Sequence, residues 1–241
     1  MKDSKFILKM VVLSMLVALG VVISPFLRVE GMCPMAHFIN IVCSVFLGPW
    51  YSLACATMIG IIRMMTMGIP PLALTGAVFG AFFSGLFYRI SNGKLLAAVL
   101  GEVIGTGIIG AVLSYPVMTF LLGKEGLTWM FYVPSFVCGT LIGGSIAYVF
   151  LRKLAANGML VKIQNMLGAR CYMDKNSIIA DTLTIASLGG ILFVVTELAS
   201  DIFKLKGVVW DYASYVLLCI CIAASGLYFI SRKLKEVKKN A

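Results

Sequence analysis

The chain has 241 residues, 61% hydrophobic and only 12% charged, with a net charge of +10 and a mean hydropathy of +1.01. So few charges cannot cover a water-soluble domain of this size, whereas lipid tails solvate apolar side chains, so a soluble globular protein is excluded. The basic residues form no cluster interleaved with exposed aromatics, which argues against nucleic acid as a partner.

Hydropathy divides the chain into eight segments, at about 6–24, 36–48, 50–66, 71–89, 95–122, 128–151, 178–199 and 208–231. The first holds a single charge, Lys9, near its start. It is too long for a signal-peptide core and is followed by no small-x-small cleavage site, so it reads as an uncleaved first helix. The second and third are short and meet at Leu47-Gly48-Pro49-Trp50. Pro49 cannot donate a backbone hydrogen bond, so a break and a tight turn are expected there. Between Arg152 and Lys175 the composition turns mixed and partly polar, as in an amphipathic helix on the inner membrane surface. The predicted fold is therefore an all-α membrane protein. It comprises a six-helix module (1–153), a cytoplasmic linker (154–177) and a two-helix transmembrane extension with a basic tail (178–241). No internal repeat of the secondary-transporter type is evident.

Placing the N-terminus in the cytoplasm puts fifteen of the twenty Lys and Arg inside, and Arg28, Arg63, Lys124, Lys204 and Lys206 outside. That bias sets both termini on the cytoplasmic side of the cell membrane.

The chain contains no G-x-x-x-x-G-K-[ST] phosphate loop, no H-E-x-x-H and no G-x-S-x-G, and His37 is its single histidine. No catalytic constellation, metal site or cofactor is expected. The seven cysteines read as small hydrophobes, and Cys219 and Cys221 point to different helix faces.

Polar groups inside apolar spans are the informative ones. Glu102 sits well inside the fifth segment, where an ionised carboxylate costs at least about 2.5–3.5 kcal/mol unless paired or facing a cavity. It reads either as a ligand contact or as an interhelical hydrogen bond, though nearer the cytoplasmic end than an outward-facing site would be. His37 and Asn40 are three apart at the outer start of the second segment, hence on one helix face. Both donate and accept hydrogen bonds, which suits a small neutral heteroaromatic ligand. With few unpaired charges expected in the outer half, a neutral ligand is predicted. Arg63, near the outer end of the third segment, either snorkels to the interface or pairs with Glu30 to close a lid. Tyr115 precedes Pro116, which should kink the fifth helix and open room beside it. Trp129 and Tyr132 read as interface anchors. Small-residue stripes at Ser14/Ala18, Gly76/Gly80, Gly101/Gly105 and Gly139/Gly143 allow close helix approach. The last three are expected to pack the module, while Ser14/Ala18 is free to face a partner.

Pro34-x-x-His37-x-x-Asn40, Leu47-Gly48-Pro49-Trp50-Tyr51 and the run Gly101-Glu102-Val103-Ile104-Gly105-Thr106-Gly107-Ile108-Ile109-Gly110, followed by Ser114-Tyr115-Pro116, resemble the ThiW family. These are substrate-binding S components of energy-coupling-factor (ECF) importers, and the match covers roughly residues 6 to 153. The resemblance implies uptake of the thiazole precursor of thiamin, hydroxyethylthiazole. It also implies partnership with a transmembrane coupling protein and two ATPases, which drive the S component to topple in the bilayer. By the same resemblance Ser14 and Ala18 dock on the coupling protein. The ligand is implied to sit towards the outside, under the Pro25–Ala36 loop and beside helices four to six. Family members usually stop after the sixth helix, so the continuation to Ala241 departs from the pattern.

Two other classes remain open. One is a stand-alone secondary transporter or channel for a small neutral solute, which the short second and third spans permit. The other is a membrane-embedded enzyme using Glu102 and His37, ranked last because the two are expected at different depths.

Overall fold

The structure is a computed structural model describing residues 2–26, 28, 32–169, 182, 185, 196 and 208–240. The expected span at 178–199, apart from three positions, and Glu30 of the suggested Arg63 pair lie outside the described residues. Those residues form an all-α membrane protein, with α1 Lys2–Ile23, α2 Pro34–Leu47, α3 Pro49–Met67 and α4 Leu72–Ile90. After these come α5, a continuous span Leu95–Leu121, then α6 Val133–Ala156, α7 Met159–Leu167 and α8 Val208–Asn240.

At 14 residues, α2 is only about 20 Å long and cannot cross a hydrocarbon core of about 30 Å. It is tolerated because it is the centre of the bundle: nearly all its residues are buried, with Ile41 and Cys43 fully so. A short span is viable where protein, not lipid, surrounds its ends. The turn expected at 47–50 rests on Gly48, whose φ of +93° closes α2 and opens α3 with Pro49 in its first turn. A side chain there would also run into the Arg89 guanidinium at the end of α4.

α4 and α5 meet backbone to backbone. A Cβ on Gly105 would stand 2.7 Å from the Cα of Gly80, and one on Gly110 would stand 2.7 Å from the carbonyl oxygen of Gly76. α5 is not uniform. It widens into π-turns over Val103–Gly110, where glycine is frequent, and again over Val117–Leu121. Pro116 therefore loosens the helix by a wide turn instead of ending it. Gly143 of α6 packs on the carbonyl of Pro34, and Gly139 on Met32 and Cys33. Three of the four small-residue stripes thus lie inside the bundle. The fourth does not: Ser14 and Ala18 are exposed, on a face shared with Val11, Met15, Leu19 and Val22.

The amphipathic segment expected after residue 152 is present as α7, but it is pegged to the bundle and does not simply lie on a membrane surface. Buried Gln164 donates from Nε2 to the carbonyl of Val45 (2.9 Å) and to the Tyr88 hydroxyl (3.1 Å). Leu160 and Leu167 join the main apolar core. α8 contains an apolar stretch, Tyr215–Leu234, long enough to cross a membrane.

Gly105→Ala forces α4 and α5 apart, at a cost of about 1–3 kcal/mol. The expected result is a lower melting temperature in detergent micelles. Gly226→Ala in α8, where an added methyl meets nothing within 4 Å, should leave melting unchanged. Equal melting of both variants would contradict the backbone-contact account.

Candidate functional site

A cavity of about 550 Å³ lies at the end of the bundle away from the Gly48 turn. Its size suits a small-molecule site. Arg28, Met32 and Cys33 of the α1–α2 connection line it, together with Ala36 and His37 of α2 and Arg63 of α3. Ile69 to Ala77 contribute through the α3–α4 connection and the start of α4, and α5 adds Thr106 and Met118. Lys124, Leu127, Phe131 and Tyr132 of the α5–α6 connection, with Pro134 to Phe136 of α6, complete the wall.

Behind His37 and Thr106 sits the carboxylate of Glu102, fully buried. Its Oε1 collects three donors: His37 Nδ1 at 2.9 Å, Asn40 Nδ2 at 3.0 Å and Thr106 Oγ1 at 3.1 Å. A carboxylate oxygen accepts, so the Nδ1 of His37 carries the hydrogen and Nε2 is left as the other ring nitrogen. Oε2 of the same carboxylate has no hydrogen-bond partner. The spacing in each element explains the cluster. His37 and Asn40 share a face of α2, and Glu102 and Thr106 lie one turn apart on α5. Gly80 of α4 leaves the room that a Cβ would take from Glu102 and Thr106. Asn40 is held further by donating to the carbonyl of Ala77 and by the Ser52 hydroxyl donating to its own carbonyl.

The expectation that Glu102 and His37 lie at different depths is overturned by their hydrogen bond. α2 begins part-way through the bundle. His37 is about 15 Å along α2 from Leu47, and Glu102 about 10 Å along α5 from Leu95, both counted from the same end. Arg63 does not snorkel: it is 4% exposed, lines the cavity, and its Nε has no partner. Arg28 and Lys124 line the same cavity. Tyr132 is buried in the cavity wall and is no interface anchor, whereas Trp129 is 59% exposed. Tyr115 is half-buried and is not a lining residue. Between the two π segments the face of α5 no longer follows the ordinary helical period, and Met118 takes the wall position instead. Asn40 and Glu102 do not line the cavity; they lie behind it, with Glu102 bonded to the lining residues His37 and Thr106. Sequence reasoning missed Thr106, Met118, Phe136 and the two loop cations. Thr106 alone carried a usable signal, one turn beyond an intramembrane carboxylate.

Glu102→Ala removes the common acceptor of three buried donors. It should destabilise the fold by about 1–3 kcal/mol or more. Glu102→Gln keeps one oxygen in place and should lose less. Thermal unfolding of the two variants in micelles checks the order, and a reversed order would sink the shared-acceptor account.

Among curated proteins and among solved structures nothing matches the chain. The family model described as thiamine-precursor transporter protein (ThiW) matches residues 10–157, the stretch that builds all six bundle helices and the cavity. The chain belongs to the ThiW family of thiamine-precursor transporters.

Proposed function

We propose that residues 1–153 are the substrate-binding subunit of an ATP-driven, ECF-type importer whose solute is the thiazole precursor of thiamin, hydroxyethylthiazole. Residues 154–177 form its cytoplasmic linker, and 178–241 a two-helix extension. The observation that carries this reading is how the cavity ends. Beyond Thr106 the path meets the Glu102 cluster and the backbone contact of Gly80 with Gly105. A bundle closed on that side is no open channel, and the resemblance implies that inward release comes by movement of the whole subunit. On the orientation with both termini in the cytoplasm, the cavity opens outward.

In the site, His37 offers Nε2 to a ligand donor such as a hydroxyl, while Thr106 and the apolar wall of Tyr132, Phe136 and Met118 enclose the ring. Asn40 and Glu102 are positioning residues: they fix the tautomer and orientation of His37. The exposed Ser14/Ala18 stripe is the docking face for the coupling protein. The chain has no phosphate-loop motif, so the two ATPases and the coupling protein supply the energy.

His37→Ala, Asn40→Ala and Glu102→Gln should each weaken thiazole binding by about 1–3 kcal/mol, roughly 5- to 150-fold. Tryptophan quenching of the purified protein reads this directly. Unchanged affinity in all three, with normal folding, would return them to purely structural roles. Tight binding of the pyrimidine precursor with no response to the thiazole would overturn the ligand assignment.

Ser14→Trp or Ala18→Trp should abolish uptake in cells while leaving ligand binding to the isolated subunit intact, because a bulky ring prevents close helix approach. A stand-alone secondary transporter behaves differently. Accumulation by this chain alone in liposomes, driven by a proton or sodium gradient, would favour that reading over the importer subunit.

A further inference from the structure

Three cations from three separate elements converge on one cavity: Arg28 of the α1–α2 connection, Arg63 of α3 and Lys124 of the α5–α6 connection. Among the described residues no carboxylate pairs with any of the three. Arg63 is the decisive one. Its side chain is more than nine-tenths buried and lines the cavity, with Nε unpartnered. A cation held away from water needs a counter-charge, and none of the described residues supplies one to Arg63. Nor does the membrane call for positive charge here. On the orientation with both termini inside, Arg28, Arg63 and Lys124 are all the outer Lys and Arg of residues 1–153, on the side that normally lacks them. Every one of them lines the cavity.

We infer that the cavity takes its thiazole best with an anionic group attached, a phosphomonoester or a carboxylate held by Arg63 with Arg28 and Lys124 at the rim, so that the neutral alcohol is the weaker of its ligands. The inference rests on the reading of this cavity as the site of the transported solute. The guanidinium fork matches two oxygens of such a group at once. With the anion held there, the heterocycle is left to His37, Thr106 and the aromatics of the same cavity. Hydroxyethylthiazole, one small ring with two short substituents, fills only part of a 550 Å³ cavity. An ester of its hydroxyl extends into the remaining volume.

The test is equilibrium binding to the purified full chain in nanodiscs. The ligands are hydroxyethylthiazole, its phosphate ester, a carboxylated thiazole, and the aminopyrimidine precursor with and without phosphate. An anionic thiazole should bind at least about tenfold more tightly than the neutral one, and the better of the phosphate and carboxylate identifies the group. In Arg63→Gln and Lys124→Gln that advantage should shrink towards parity. Lys124 is exposed, so its variant keeps the test open should Arg63→Gln fail to fold. Neutral thiazole binding as well as its ester, or an advantage that survives both substitutions, overturns the inference and leaves the thiazole reading standing. Indifference to every thiazole, with an Arg63-dependent preference for the pyrimidine phosphate, overturns the thiazole reading and supports the anion. Failure of all five ligands overturns both.

Discussion

A carboxylate buried in an apolar helical bundle has to be satisfied by its neighbours, and Glu102 organises much of this fold around that requirement. Three donors reach one oxygen only because α2 starts part-way through the bundle, bringing His37 and Asn40 to its level. α5 can set the carboxylate there only because α4 offers glycine at position 80. The wide turns of α5 begin directly after Glu102 and carry Thr106 to both the carboxylate and the cavity. Loss of any one element would leave a polar group in the interior without its counterpart.

The site built on this foundation has two zones of opposite character. Its inner zone is neutral in recognition, with an imidazole and a hydroxyl tied to one carboxylate beside aromatic rings. Its outer zone is cationic, and the two exposed cations come from connections, where side chains adjust to a ligand at little cost in packing. On the proposed reading, affinity for a small heterocycle comes from the first zone, and long-range attraction of an anionic solute from the second, since exposed charges act across about a Debye length.

Much of the fold was legible in the sequence because lipid imposes simple demands. Long apolar runs marked the spans, Gly48-Pro49 marked the turn, and paired glycines marked the helix contacts. Glu102 stood out as a charge where lipid admits few. What could not be read was height. Hydropathy locates a helix along the chain but not along the membrane normal, so the start of α2 was placed at the outer surface and His37 apart from Glu102. The π-turns were equally hidden: they change which residues share a face of α5, which is why Met118 and not Tyr115 reaches the wall. Arg28 and Lys124 carry only a topology signal in the sequence, and their convergence with Arg63 depends on how the connections fold back over the bundle. The docking of α7 through Gln164 depends on a single buried amide that resembles any surface glutamine in sequence.

The backbone contacts of α4 with α5 have a consequence for how such a protein diversifies. At Gly105 and Gly110 a side chain would meet the backbone of α4, and at Gly76 and Gly80 it would displace Phe136, Thr106 or Glu102, so the floor of the site has almost no room to vary. The upper wall is formed by Leu127, Phe131, Ser135 and the connections that carry Arg28 and Lys124, and none of their cavity-lining residues is a glycine. New solute preferences are therefore expected to arise by exchange of the upper wall over an unchanging base. The same division tells an engineer where to place a randomised library.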